Sequence, residues 1–285
     1  MPSTVAYLGP EKTNTHLAAR KKFGSQCRYI HAPTVEDVFH MVERESVDFG
    51  VVPIENSLEG AVTHTLDRFI DFKRSPAKIY GEIQTPIGHY LIRHRSAGRD
   101  KIKAIYSHPQ AFAQCRQWLD KNFRGVPLVE TSSTADAIDR IVKPMRAFQA
   151  FSGKTNEIAA IGRKELADQH GLQTVPIPID RENLTRFLVI SLRSPKCGRK
   201  NKTSILFALK DKPGALHDAL MPFKDKRINL TKIESRPSKR KAWEYVFFVD
   251  LEGHELEPRI KQALDALKKS TSDLRVLGSY PVHAS

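Results

Sequence analysis

Four short segments carry the side chains that do chemistry if the fold brings them together: Asn56-Ser57, Ser107-His108, Ser133-Thr134 and Asn183 through Phe187. In the last of these a Thr185 hydroxyl precedes the Arg186 guanidinium and the Phe187 ring. A threonine hydroxyl is a poor acid, so it assists a leaving group only with a neighbour's help. Taken alone, Thr185 is equally an ordinary β-branched strand residue. The planar fork of Arg186 fits a carboxylate, or closes a structural salt bridge. Phe187 either walls a site against water or packs in a core. Asn56 and Ser57 follow the apolar run Phe49–Ile54, where side chains face a cleft; a locally capped turn is the alternative. Glu55 orients its neighbours or is a plain ion-pair partner. Ser107-His108-Pro109 sits where a strand gives way to a helix, and a helix N-terminus accepts anions. His108 relays a proton there or merely caps. Ser133-Thr134 repeats the geometry at the next helix.

These segments need a scaffold, and the chain spells one out. Val5–Leu8 reads as a strand ended by Gly9-Pro10. Thr34 opens a helix, with Asp37 completing an approximate capping box and Val35, Val38, Phe39 and Val42 forming one stripe. Phe49–Ile54 reads as a buried strand, and Val62, Leu66 and Phe69 as a helix. Strands at Ile102–Tyr106 and Ile158–Ile161 alternate with helices from Pro109, from Ser133-Thr134 and up to Gly171. This order predicts mostly parallel sheets flanked by helices. The apolar runs Ile79–Ile83 and Ile87–Ile92, and the strand Phe187–Ser191, are suited to carry the chain between two lobes with a ligand cleft. Residues 192–202 read as a linker. After it, strands Ser204–Leu209, Ile228–Ile233, Tyr245–Asp250 and Leu274–Leu277, with helices from Gly214 and Glu257, give the ferredoxin-like βαββαβ order. A detachable C-terminal part is the resulting expectation.

Composition narrows the class. The net charge is +14, but bases are interspersed with acids. The densest basic groups, Arg20-Lys21-Lys22, Arg199-Lys200-Asn201-Lys202 and the expected hairpin tip Lys239-Arg240-Lys241, accompany no nucleic-acid motif, so no nucleic-acid partner is expected. No segment approaches the roughly 18 apolar residues of a membrane span. The N-terminus lacks signal-peptide order. Cys27, Cys115 and Cys197 are too far apart to suggest a metal site and odd in number, which reads as reduced thiols in a cytoplasmic protein.

The segments VVPIENSLEGAVTHTLD (51–67), SHPQAFAQC (107–115), STADA (133–137), AAIG (159–162) and NLTRF (183–187) together resemble the prephenate dehydratase family. GALH (214–217), INL (228–230) and ESRP (234–237) resemble the ACT regulatory domain fused to those enzymes. No chorismate mutase segment precedes Val5, so the resemblance is to the single-activity form. It implies an α/β protein: a two-lobed, periplasmic-binding-protein-like catalytic domain at 1–192 and an ACT domain at 203–282.

The implied reaction converts prephenate to phenylpyruvate in phenylalanine biosynthesis, with loss of carbon dioxide and hydroxide. Such a site assists hydroxide departure, anchors a carboxylate and leaves the departing carboxylate poorly solvated. The resemblance makes Thr185 the catalytic residue, with Thr13, Asn56, Ser57, Ser107, His108, Thr134, Arg186 and Phe187 as substrate contacts. It implies no metal or organic cofactor. One departure stands out: Lys12-Thr13-Asn14-Thr15 replaces the family's Gly-Thr-Phe-Ser, so Lys12 lacks glycine's freedom at positive φ. In the C-terminal part, Gly214, Ala215, Leu216, Asn229, Leu230 and Glu234 are the implied phenylalanine contacts, shared between subunits of a homodimer or homotetramer. Two other readings stand beside this one: an arogenate dehydratase, and a catalytically inactive amino-acid sensor.

Overall fold

The structure is a computed structural model that describes residues 2–70, 75–143, 157–178, 183–209, 212–238 and 244–282. The expected hairpin tip Lys239-Arg240-Lys241 lies outside the described residues. Two compact units emerge: Met1–Thr85 with Thr185–Ser285, and Pro86–Leu184.

The first unit begins with β1 (Thr4–Leu8), α1 (Asn14–Phe23), β2 (Arg28–Ala32), α2 (Val35–Glu43), β3 (Phe49–Asn56), β4 (Gly60–Ala61), α3 (Thr63–Ile70) and β5 (Lys78–Pro86). Helix α2 forms as its sequence demands. The Thr34 hydroxyl oxygen accepts from the Asp37 amide at 3.1 Å, and Val35, Val38, Phe39 and Val42 are buried. Helix α1 was not legible beforehand. Thr13 caps it, with its Oγ1 accepting from the His16 amide. Lys12 sits at φ 67°, the left-handed conformation that glycine adopts freely. The turn recovers part of that cost because the Lys12 amide donates to His16 Nδ1 at 2.8 Å.

The second unit holds β6 (His89–Arg93), β7 (Ala104–Ser107), α4 (Pro109–Gln114), α5 (Arg116–Asn122), β8 (Leu128–Glu130), α6 (Thr134–Val142), β9 (Ile158–Gly162), α7 (Lys164–Gln169) and β10 (Gln173–Ile177). Its sheet runs β10-β6-β9-β7-β8, parallel at β8-β7-β9 and antiparallel at β9-β6-β10.

The chain then re-enters the first unit as β11 (Leu184–Ser191), completing the sheet β2-β1-β3-β11-β5. Strands β1, β2 and β3 are mutually parallel where they pair, whereas β11 runs antiparallel to β3. Both sheets are thus mixed: β11 and the short β4 run antiparallel to β3, and β6 runs antiparallel to β9 and β10.

The C-terminal part comprises β12 (Asn201–Leu209), α8 (Ala215–Asp225), β13 (Leu230–Pro237), β14 (Tyr245–Glu252), α9 (Pro258–Ser270) and β15 (Thr271–Pro281), in the sheet order β13-β14-β12-β15. That is the ferredoxin-like arrangement the strand and helix count predicted. It is not a freely hinged appendage. Leu206, Ala208, Val246, Phe248, Leu277 and Tyr280 share one core with Val52, Ile54, Leu188, Ile190 and Phe69 of the N-terminal sheet layer. Gly278 lies so close to β5 that a Cβ there would stand 2.2 Å from the Ile79 carbonyl oxygen. The expectation of a detachable C-terminal part therefore meets a shared core, buried on both sides.

Candidate active site

The C-terminal ends of β1 and β3 share one edge of the first sheet, where α/β folds place their ligands. Thr13 follows β1 there, Asn56 ends β3, and Thr185 lies near the start of β11, directly opposite Asn56. Asn56 Nδ2 donates to Thr185 Oγ1 at 2.9 Å. The amide orientation is fixed by its other end. Asn56 Oδ1 accepts from the Leu58 and Glu59 amides at 2.9 and 3.2 Å, so the NH2 must face Thr185. Thr185 is 8% exposed. With one lone pair of its oxygen engaged by a donor, the hydroxyl keeps its own proton for a substrate atom. Ser57 follows, exposed, in the turn that Asn56 organises.

A register shift distributes the neighbouring side chains. Thr185 opposes Asn56 and Arg186 opposes Glu55, but Phe187 opposes Pro53, leaving Ile54 as an extra residue in β3. Thr185 shares its face by alternation with Phe187 and Val189, which pack with Val5, Tyr7 and Val51. Arg186 shares the other face with Leu188 and Ile190, which pack against the C-terminal sheet. Phe187, at 1% exposure, is core packing, not the wall of a water-free pocket.

Arg186 is also relocated. Its Nη1 donates to Asp250 at 2.6 Å and to Glu82 at 3.2 Å, and its Nη2 to Glu55 at 3.0 Å. Burial alone would lower its pKa, but the carboxylates of Asp250 and Glu82 outweigh this and hold the guanidinium charged. A fork spent on three carboxylates of its own chain is not available to a substrate carboxylate. This corrects the substrate-contact expectation for Arg186.

In the second unit the expected residues sit at the C-terminal edge of β7, β8 and β9. Ser107 is fully buried and donates to the Ile161 carbonyl at 2.9 Å, so it ties two strands together and is withdrawn from the substrate contacts. His108 caps α4, with Nδ1 accepting from the Gln110 amide at 3.3 Å. Ser133 caps α6, which leaves the adjacent Thr134 hydroxyl without a hydrogen bond among the described residues. Arg163 was missed by the sequence reading. It directly follows β9, is 8% exposed, and its Nε and Nη2 find no hydrogen-bond partner among the described residues. Burial pushes its pKa down, with Glu165 opposing. A buried guanidinium with open donors is costly. The signal was only its place after AAIG, which without contacts reads as a helix-capping position.

In the C-terminal part, Gly214 has φ 78° with open space around its Cα, Ala215 is buried, and Leu216 and Asn229 are exposed. Leu230 packs against the domain core. Glu234 lies on β13 between Lys232 and Arg236, on the same side as both by alternation, 3.8 Å from Lys232. Strands β12 and β13 are both antiparallel to β14 and hence run in the same direction. Gly214–Leu216 therefore follow the far end of β12, while Asn229 precedes the near end of β13. At strand rise these ends are roughly 20 Å apart in one chain.

A hydroxyl primed for donation at the C-terminal edge of an α/β sheet, backed by a ferredoxin-like sheet, defines a class: a small-molecule enzyme scaffold with an appended ligand-sensing type of domain. Sequence comparison narrows the class to one family. A profile of prephenate dehydratase matches residues 5–195, and one of the ACT domain matches residues 203–269. The chain belongs to the prephenate dehydratase family. It is 48% identical over 277 residues to a bifunctional chorismate mutase/prephenate dehydratase of Aquifex aeolicus, covering 97% of this chain and 73% of that protein. It is 37% identical to the prephenate dehydratase of Methanocaldococcus jannaschii, covering 99% of each. The crystal structure of the Arthrobacter aurescens prephenate dehydratase in complex with L-Phe superposes with a TM-score of 0.83 at 31% identity, covering 98% of this chain and 90% of that one. No helix among the described residues is long and apolar enough to cross a membrane.

Proposed function

We infer that the chain is a prephenate dehydratase, converting prephenate to phenylpyruvate, carbon dioxide and water. The observation that carries this is the Asn56 donation to Thr185 Oγ1. As the C–CO2⁻ bond breaks, its electron pair enters the ring and the C–OH bond opposite breaks. Thr185 gives the departing hydroxide a proton and regains one from solvent. The Asn56 NH2 then faces a more negative oxygen, so its hydrogen bond strengthens in the transition state, where it accelerates the reaction. Aromatisation of the ring supplies the driving force.

Prephenate brings two carboxylates, and Arg186 is committed elsewhere. In the second unit, Arg163 is buried, cationic and, among the described residues, open at Nε and Nη2, which suits it to hold an anion. Thr134 and the His108-capped start of α4 are further polar groups of that unit. Thr13 has a structural share, since its hydroxyl also donates to the Leu8 carbonyl at 3.2 Å.

Phenylalanine is the inhibitor, bound between ACT domains of two chains. The separation of Gly214–Leu216 from Asn229 supports this, because a pocket using both ends of the sheet needs a second copy. Our reading of the working form is a homodimer or homotetramer in the cytoplasm.

The test is product analysis with prephenate and arogenate supplied separately. Phenylpyruvate from prephenate is the expected result. Phenylalanine from arogenate alone would reassign the enzyme as an arogenate dehydratase. Absence of both products would point to the inactive sensor.

A further inference from the structure

The contact between the C-terminal sheet and the catalytic sheet is not uniformly apolar. Six buried or half-buried charged side chains meet at one place: Arg186, Lys202 and Lys232, with Glu55, Glu82 and Asp250. Asp250 of β14 holds Arg186 at 2.6 Å, and its other oxygen accepts from Ser204 of β12. Lys202 of β12 holds both oxygens of Glu82 at 2.8 Å, and Lys232 of β13 holds Glu55 at 3.1 Å. Three strands of the C-terminal sheet thus converge on Arg186 and its carboxylate partners.

Arg186 and Glu55 are direct partners in the β3–β11 ladder, and the next rung is Thr185 with Asn56. The ion cluster therefore grips the rung beside the one that carries the hydroxyl, from the opposite face of the sheet. Apolar residues would dock two sheets at no desolvation cost, and buried ion pairs often stabilise less than such packing. What charged groups add is position: their hydrogen bonds have short, directional geometry. Glu234, one of the implied phenylalanine contacts, stands between Lys232, which grips Glu55, and Arg236, which pairs with Asp67 of α3 at 3.1 Å.

We propose that the Glu55–Arg186 rung couples the two functions of the chain. Asp250, Lys202 and Lys232 are positioning residues: they set the rung, the rung sets Thr185 against Asn56, and a ligand on the C-terminal sheet alters turnover through these side chains. The proposal rests on the prephenate dehydratase reading for its activity readout. An effector acts only through a difference in affinity between two arrangements, and here the difference lies in how β13 and β14 hold the rung.

The test uses the full chain as wild type, as Asp250→Asn, and as the charge-balanced pair Asp250→Asn with Lys202→Met, which retains function as a probe if the single variant folds poorly. Three quantities are measured: kcat and KM for prephenate, the extent of inhibition by phenylalanine, and amide hydrogen exchange across β11 with and without phenylalanine. In folded variants kcat should fall at least tenfold with KM within about twofold, and maximal inhibition should drop by at least half. In wild type, phenylalanine should change exchange at Arg186 and Phe187, and that change should vanish in the variants. Folded variants with wild-type kcat and wild-type inhibition would overturn the proposal, whatever their loss of Tm. So would β11 exchange that phenylalanine leaves unchanged in wild type. A wild-type protein that leaves prephenate untouched sinks the activity reading alone, and the exchange comparison then decides the coupling.

Discussion

Replacing Asn56 by Asp isolates the donor at the centre of the site. The change is nearly isosteric. One carboxylate oxygen keeps the acceptor role toward the Leu58 and Glu59 amides, so the turn after β3 survives. The other oxygen stands where Nδ2 now donates to Thr185 at 2.9 Å. An ionised carboxylate there accepts instead, and Thr185 turns its proton inward. Two losses coincide: the leaving hydroxide loses its donor, and the developing negative oxygen loses its stabilising N–H. Removing one such preorganised donor costs about 10²–10³ in kcat. Global stability should change by less than about 1 kcal/mol, because the turn bonds are kept and a Thr-to-carboxylate bond replaces the lost one.

The assay is phenylpyruvate formation at saturating prephenate across pH, with Tm followed in parallel. Acidification adds a signature. Protonating the new carboxyl restores an O–H donor toward Thr185, so the variant's kcat relative to wild type should rise as pH falls toward the carboxylate range near about 4. A folded Asn56→Asp protein with kcat within threefold of wild type at pH 7 would refute the donor argument.

Other consequences follow from the same contacts. Thr185→Ala should lower kcat at least 100-fold, the lower end for general-acid assistance, while Thr185→Ser retains most of it; a folded Ala variant with near-normal turnover removes Thr185 from the mechanism. Arg163→Met should leave Tm unchanged or higher, since a buried cation with open donors among the described residues is lost; a clearly lowered Tm would show that the guanidinium has partners. Gly278→Ala should lower stability by about 1–3 kcal/mol, the range for overpacking, because its Cβ would meet the Ile79 carbonyl; an undiminished Tm would mean β15 and β5 separate easily. Asp48 is held below the usual carboxylate range by the Thr4 amide and hydroxyl and by Arg193. A depressed folded pKa gives stability that is present above about pH 4 and lost as pH falls through the folded value, so Asp48→Asn should flatten the acid side of a Tm-versus-pH curve.

Local signals carried most of the elements. The Thr34–Asp37 cap and its apolar stripe announced α2, and Pro109 and Ser133 announced α4 and α6. Helix α1 escaped because its buried face is only Thr15, Ala18 and Ala19, too weakly apolar to mark a stripe. Strands β2, β8 and β10 are short and partly exposed, so alternation had little to show. Partners were harder than elements. Asn56 and Thr185 are 129 residues apart, and only the register of β3 against β11 brings them together. Nothing near Arg186 in sequence named Glu82 or Asp250. A substrate carboxylate and a buried carboxylate of the chain itself make the same demand on a guanidinium, so residue type alone could not separate them. The family resemblance pointed to the Thr-Arg-Phe segment as a unit, and only contacts divide its labour.

That division follows from one extra residue. Alternation along β11 puts Thr185 and Phe187 on one face and Arg186 on the other. On β3, Val52 and Ile54 already face the C-terminal sheet, so strict alternation would send Glu55 to the far face and Asn56 to the near one. The register of Phe187 with Pro53 would then run on to pair Arg186 with Ile54 and Thr185 with Glu55, so Asn56 would stand opposite Leu184 on the other face and Glu55 could not reach Arg186. Because the register skips Ile54, the phase shifts by one: Glu55 joins Arg186 on the docking face, and Asn56 joins Thr185 on the other. The same bulge therefore creates the donor pair and the rung that the C-terminal sheet grips. A strand that paired without it would offer neither the site nor the connection.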